Sequence, residues 1–142
     1  MRADQEIEMS ELIIEIPALP PIEYSPNSRV HWSQRFKAGN KYSHDVFYMA
    51  VDARNKAYLK GITDFPWQQA YCEATFFVAE ERIRDENNWR ARFKPGQDAL
   101  VSAGLILKDD MEHLQVKVSI VVDKDRAPLT IIKLGKSDNA VD

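Results

Sequence analysis

The chain has a single cysteine, Cys72, so no intrachain disulfide can form. It has no apolar run near the roughly 20 residues that a membrane-spanning helix requires. Its start, Met1 to Glu6, lacks the basic-then-apolar layout of a secretory leader. Together these absences predict a soluble, cytoplasmic protein with no membrane partner. Cys72 sits in an apolar, strand-like run, which favours a buried structural thiol over a nucleophile. There is no His-Glu-x-x-His segment, no Cys-x-x-Cys pair and no glycine-rich phosphate loop, so zinc and nucleotide chemistry lack support. Internal repeats and low-complexity stretches are also missing. Basic excess is missing too: the net charge is −3, which taken alone argues mildly against a nucleic-acid partner, since phosphates are held by cations.

What remains is a chain of 142 residues, 44% hydrophobic, enough for one domain with a real core. Residues 1–11 read as a flexible acidic tail and 135–142 as a second tail, with one domain over 12–134. Leu12 to Ile16 reads as a strand ended by Pro17. Pro17, Pro20, Pro21 and Pro26 then exclude a helix, and a long loop is expected over 17–42. Val46, Met49, Ala50, Ala53 and Ala57 recur at helical spacing from about Ser43 to Lys56. Ala70 to Val78 alternates as a strand. Asp85 or Asn88 is placed to cap a helix that runs to Gly104, with Pro95 predicting a kink or a late start. Leu114 to Val122 is the strongest alternation in the chain. Leu129 to Leu134 is expected to pair with it as a hairpin across the polar turn Asp123 to Pro128. The order predicts an α+β domain: a small mixed sheet with helices packed on one face.

Charge is unevenly spread. Ser28 to Lys41 carries Arg29, Arg35, Lys37 and Lys41 with no acid, and Arg82 to Lys94 carries five cations against two acids. Acid gathers in the N-terminal tail and at Asp109-Asp110. A local basic face on an acidic protein is one reading, and ordinary solvated charge is the other. His31 and Trp32, beside Arg29, Arg35 and Lys37, suit stacking joined to phosphate contact, or a loop anchored by Trp32.

The residues that suggest a reaction lie between Arg84 and Asp110. Asp85 follows a strand and precedes a helix; Asp109-Asp110 follows that helix and precedes the strongest strand. If the two strands are neighbours, the two acid clusters can meet at one sheet end. Mg²⁺ takes oxygen ligands, one or two of them carboxylates, with water completing its shell. Lys94, between the clusters, is placed to stabilise charge on a phosphate. The bland reading of the same residues is a helix cap at Asp85, a polar turn at Asp109-Asp110, and Lys94 paired with Asp98 four residues on. His113, near Asp110, reads as a surface histidine before a ligand.

The order Arg84-Asp85, Asn88, Lys94, Asp98-Ala99-Leu100, Ala103-Gly104-Leu105-Ile106 and Asp109-Asp110 resembles the RusA-type Holliday junction resolvases of bacteria and phages. Ser25-Pro26-Asn27-Ser28-Arg29-Val30-His31-Trp32 is similar to that family's early segment. The resemblance spans about 12–134, with its specificity in 84–110. It implies a RusA-like fold and a homodimer in a bacterial or phage-infected cell. It further implies Mg²⁺-dependent (or Mn²⁺-dependent) cutting of four-way DNA junctions in recombination and repair. By position it implies Asp85, Lys94 and Asp110 as catalytic residues and Asp85, Asn87, Asp109 and Asp110 around the metal. Arg29, His31, Arg35, Lys37, Lys41, Arg84, Asn88, Arg90 and Arg92 are the residues expected to face DNA. Asn87 stands where the family carries a second aspartate. An amide oxygen can ligate a metal but brings no charge and no base, so a junction-binding protein without cutting is the alternative that this sequence leaves open.

Overall fold

A computed structural model of the chain describes residues 11–80 and 86–137. Four strands form one sheet: β1 (Glu11–Ile16), β2 (Ala70–Val78), β3 (Leu114–Val122) and β4 (Leu129–Lys136). Three helices accompany it: α1 (Trp32–Leu59), α2 (Glu86–Arg92) and α3 (Lys94–Ser102), with a 3-10 turn at Ile22–Tyr24. The period-2 alternation read from the sequence sorts the strands correctly. Leu12, Ile14 and Ile16 of β1, Ala70, Cys72, Ala74 and Phe76 of β2, and Thr130, Ile132 and Leu134 of β4 are buried on one side.

That side is where the helices lie. Tyr42 of α1 donates a hydrogen bond to Thr130 at 3.0 Å, and Thr130 donates on to the Ala18 carbonyl at 2.7 Å. Trp89 of α2 stacks on Phe76 at 5.1 Å between ring centres, and Phe93 meets Phe76 edge-on at 5.6 Å. Each large apolar side chain enclosed this way contributes about 1.5–3 kcal/mol. The molecule is thus α+β, a mixed four-stranded sheet with helices on one face, as the element order predicts. Among the described residues no helix is long and apolar enough to cross a membrane. Cys72 is fully enclosed, and burial pushes its thiol up to about 12, in keeping with a structural role.

The sheet order is β1-β4-β2-β3, which overturns the expected hairpin between β3 and β4. β4 lies antiparallel between β1 and β2, and β3 is an edge strand parallel to β2. Burial explains the arrangement. β2 and β4 hide alternate residues almost completely and take the two central places. β3 leaves Gln115, Lys117, Ser119 and Val121 exposed, as an edge tolerates. The turn after β3 crosses the end of β2 instead of folding back, and the Asp123 amide donates to the Val78 carbonyl at 2.8 Å. A parallel pair needs a long crossover, and α2 with α3 supplies it.

Three further boundaries differ. α1 begins at Trp32, so the loop expected over 17–42 is some ten residues shorter. Its buried residues start only at Gly39 and Tyr42; the first two turns show no apolar stripe to read. Farther along, Val46, Ala50 and Ala57 are buried as expected, Ala53 is half-buried and Met49 is exposed. β1 includes Glu11, which pairs with Gly135 and accepts a 2.5 Å hydrogen bond from the Tyr71 hydroxyl, and β4 continues to Lys136.

Pro95 acts as predicted. The helix breaks at Phe93, and α3 restarts with Pro95 in its first turn, where a missing N–H leaves no bond unmade. Gly104 ends α3 at φ +79°, a left-handed conformation that glycine adopts without strain. The Gly104 amide donates to the Val101 carbonyl at 3.0 Å and the Leu105 amide to the Leu100 carbonyl at 3.2 Å, closing the helix.

Candidate functional site

The motif segment divides in two. Arg84 and Asp85 lie outside the described residues, so the expected first catalytic aspartate has no geometry to report. From Glu86 onward the chain is placed. Because β2 and β3 are parallel, the exit of β2 at Val78 pairs with Val122, whereas the entry of β3 at Leu114 pairs with Ala70. The strands are neighbours, as supposed, but these two chain ends are at opposite ends of the sheet. α2 brings the chain back: Trp89 lies on Phe76, opposite Ile120, and the Arg90 guanidinium donates to the Val116 carbonyl. Asn87, exposed on the first turn of α2, precedes Lys94 by seven residues, roughly 10 Å along a helix axis.

At the far end of that return, Lys94 meets the second acid cluster. Its ammonium donates to Asp109, fifteen residues away, and lies 3.0 Å from Asp98 on its own helix. Burial disfavours the charge on Lys94, but the hydrogen bonds to Asp109 and Asp98 outweigh it and hold the ammonium above its usual range. Burial likewise works against the Asp109 carboxylate, and Lys94 overrides it and holds Asp109 below the carboxylate range. The i,i+4 pairing of Lys94 with Asp98 is present as the bland reading expects, and the distant acid Asp109 is a second partner.

Asp110 points elsewhere. The His113 ring nitrogen lies 2.6 Å from its carboxylate, and that bond is the chief cause holding Asp110 below its ordinary value. The amides of Glu112 and His113 also donate to it, each at 3.1 Å, so Asp110 closes the turn into β3. The segment before it is pinned to Trp67, whose amide donates to the Leu105 carbonyl at 2.9 Å and whose carbonyl accepts from the Leu107 amide at 3.0 Å. The Asp109-Asp110 pair thus stands on a held backbone with its two side chains diverging.

Asp109 and Asp110 are hard oxygen donors, two in number, and in that respect suit Mg²⁺. Each is already engaged, one by Lys94 and one by His113. Among the described residues no group of three or more His, Cys, Asp or Glu side chains gathers where a metal could be held. Asp85 lies outside the described residues, and Asn87 contributes an amide at most.

The remaining sequence candidates sort by what they touch. Asn88 accepts a 2.6 Å hydrogen bond from Ser25, which is buried. This joins the motif helix to the early Ser25–Trp32 segment across 63 residues. Arg92 donates to the Pro20 carbonyl at 2.7 Å and lies 3.7 Å over the Trp89 ring, while burial holds its guanidinium below the usual arginine value. Arg90 and Arg92 are thus tied to the protein's own carbonyls. Arg35 packs 4.5 Å over Tyr24 and reaches the Ser25 carbonyl at 3.5 Å. His31 caps α1, its ring nitrogen accepting from the Ser33 amide at 3.2 Å. Arg29, Lys37 and Lys41 are exposed.

Two participants escaped the sequence reading. Ser25 appeared only as part of a resembling phrase; its partner 63 residues away has no local signal. Phe36 is 62% exposed beside Trp32, at 71%, and the i,i+4 spacing of the two was the available cue. Ser25, Ser28, Val30, Asn88 and Arg92 line a depression of about 420 Å³ between the early segment and α2. No protein-family model and no curated protein sequence matches this chain.

Proposed function

We propose that this protein is a RusA-like, Mg²⁺-dependent (or Mn²⁺-dependent) endonuclease that acts as a homodimer on four-way or otherwise branched DNA. The observation that carries the reading is the meeting of Lys94 with Asp109. A lysine and a downstream acid, singled out by their order in the sequence, are brought together by the break at Phe93, the closure at Gly104 and the pinned segment at Trp67. The bond between Ser25 and Asn88 supports it further, since it unites the two segments that carry the family resemblance.

In this reading Asp85, Asn87, Asp109 and Asp110 are the residues that would hold the metal, which would supply an activated water and compensate charge on the scissile phosphate. Lys94 carries the positive charge that can face a phosphate oxygen. With Asp98 and Asp109 both bound to it, its charge is compensated; offering it to a phosphate requires exchange of one carboxylate partner. Asp109, so released, is the carboxylate that becomes free for a cation. Asp110 keeps the turn into β3 in place while His113 orients its carboxylate.

One observation favours a second reading, a junction-binding protein that does not cut: Asn87 stands in place of a carboxylate. Asn87→Asp separates the two. A gain in Mg²⁺-dependent junction cleavage over a weak native activity supports the enzyme; cleavage appearing only in Asn87→Asp supports the binder. Junction affinity that is absent at low and high salt, in the native chain and the variant alike, refutes both.

A further inference from the structure

We infer that the first turns of α1 form a stacking platform for unpaired bases of a nucleic-acid strand, with Trp32 and Phe36 as its two rings. The inference rests on the nucleic-acid reading above and gives it a specific element of substrate recognition. Residues four apart share a helix face, and Trp32 and Phe36 expose 71% and 62% of their surface on it. Neither supports the fold, because the buried residues of α1 begin at Gly39. Two large rings held in solvent on a rigid 28-residue helix mark a contact surface. The His31 ring lies beside Trp32, 5.6 Å between ring centres and tilted by 35°.

Charge identifies the occupant. From Ser28 to His44 the sequence has no acid, and Arg29, Lys37 and Lys41 of this segment are exposed. A second copy of this chain is a poor fit, since a two-fold contact through this segment brings two acid-free, basic stretches together. Flat apolar faces with regularly spaced negative charge are the chemistry that fits, which is a single strand. Within an uninterrupted duplex the base faces are covered by their neighbours, so the platform selects unpaired nucleotides. Between the segment that precedes α1 and the motif helix lies a depression of about 420 Å³, lined by Glu23, Ser25, Ser28, Val30, Asn88 and Arg92.

The tryptophans make this measurable. Trp67 and Trp89 are 1% and 5% exposed, so Trp32 is the solvent-facing reporter of the three. The full chain is titrated with a twelve-nucleotide oligothymidylate, an oligouridylate of equal length, a blunt duplex and a four-way junction, following tryptophan emission and affinity. The platform predicts quenching by the single strands and none by the duplex. It also predicts roughly tenfold weaker single-strand binding in Trp32→Ala and in Phe36→Ala, and near-native binding in Trp32→Tyr. Equal quenching by both single strands assigns the site to either nucleic acid; quenching by one alone assigns it to that one. Unchanged emission on strand binding, or native affinity in both alanine variants, overturns the inference. So does a dimer in sedimentation that dissociates in Trp32→Ala without any quenching, which would make the face a subunit contact. Junction cleavage that persists without quenching leaves the proposed function standing and removes the platform. Quenching by single strands from a protein that neither binds nor cuts junctions does the reverse.

Discussion

Removing the Ser25 hydroxyl tests whether the early segment is fastened to the motif helix as described. Ser25 is 4% exposed and donates to Asn88 at 2.6 Å, a short, well-formed O–H···O bond. Ser25→Ala deletes the donor and leaves the Asn88 oxygen half-buried, with solvent able to replace part of the loss. A bond of this type contributes about 1 kcal/mol, and stranding a buried partner costs about 1–3 kcal/mol, so a total near 1–2 kcal/mol follows. For a domain of this size that is a fall of roughly 3–8 °C in Tm. Asn88→Ala alone changes everything Asn88 touches, so the clean quantity is the coupling from the cycle Ser25→Ala, Asn88→Ala and the double variant. Urea denaturation of the four proteins should give a coupling of about 1 kcal/mol. A coupling within about 0.3 kcal/mol of zero, the ordinary scatter of independent sites, would refute the clamp.

Three other perturbations follow from the same geometry. Thr130→Val keeps the shape but removes the acceptor for the buried Tyr42 hydroxyl and the donor to Ala18, and should cost about 2–4 kcal/mol in chemical denaturation. Gly135→Ala would put a methyl 2.2 Å from the Tyr71 ring, forcing that ring off its bond to Glu11; a loss of at least about 1 kcal/mol is expected, and a native Tm would show that Tyr71 swings freely. Lys94→Met should flatten the pH profile of stability. The lowered Asp109 contributes above its unfolded value of about 3.9 and loses that contribution as pH falls through its folded value. The raised Lys94 contributes below about 10.4 and loses it as pH rises through its folded value. Half of the Lys94 side chain is in solvent, so the native advantage across that window should be about 0.2–1 kcal/mol, shrinking in high salt.

The strands and the break at Pro95 were legible because alternation and proline act locally. The place of β4 was not, because alternation says which side of a strand is buried and nothing about which strand lies beside it. The polar turn from Asp123 to Pro128 suits a hairpin and a crossing of β2 equally well. The first turns of α1 were hidden for another reason: Trp32 and Phe36 face solvent, so the apolar stripe that reveals a helix is missing there. At the candidate site, the Lys94–Asp98 pair follows from helical spacing. The Lys94–Asp109 and Ser25–Asn88 contacts depend on tertiary placement, and only the order of the motif hinted at them. Of the expectation that both acid clusters flank one sheet end, the half that concerns Asp85 lies outside the described residues. Two parallel neighbours begin and end at opposite edges, and α2 must run back to bring Lys94 to Asp109.

The most direct test of the proposed activity is a synthetic four-way junction incubated with the native chain and with Asp85→Asn, across a titration of Mg²⁺ and of Mn²⁺. Symmetric, metal-dependent incision by the native protein that disappears in Asp85→Asn is the predicted result. Native protein that binds the junction and leaves it uncut at every concentration of both metals would contradict it.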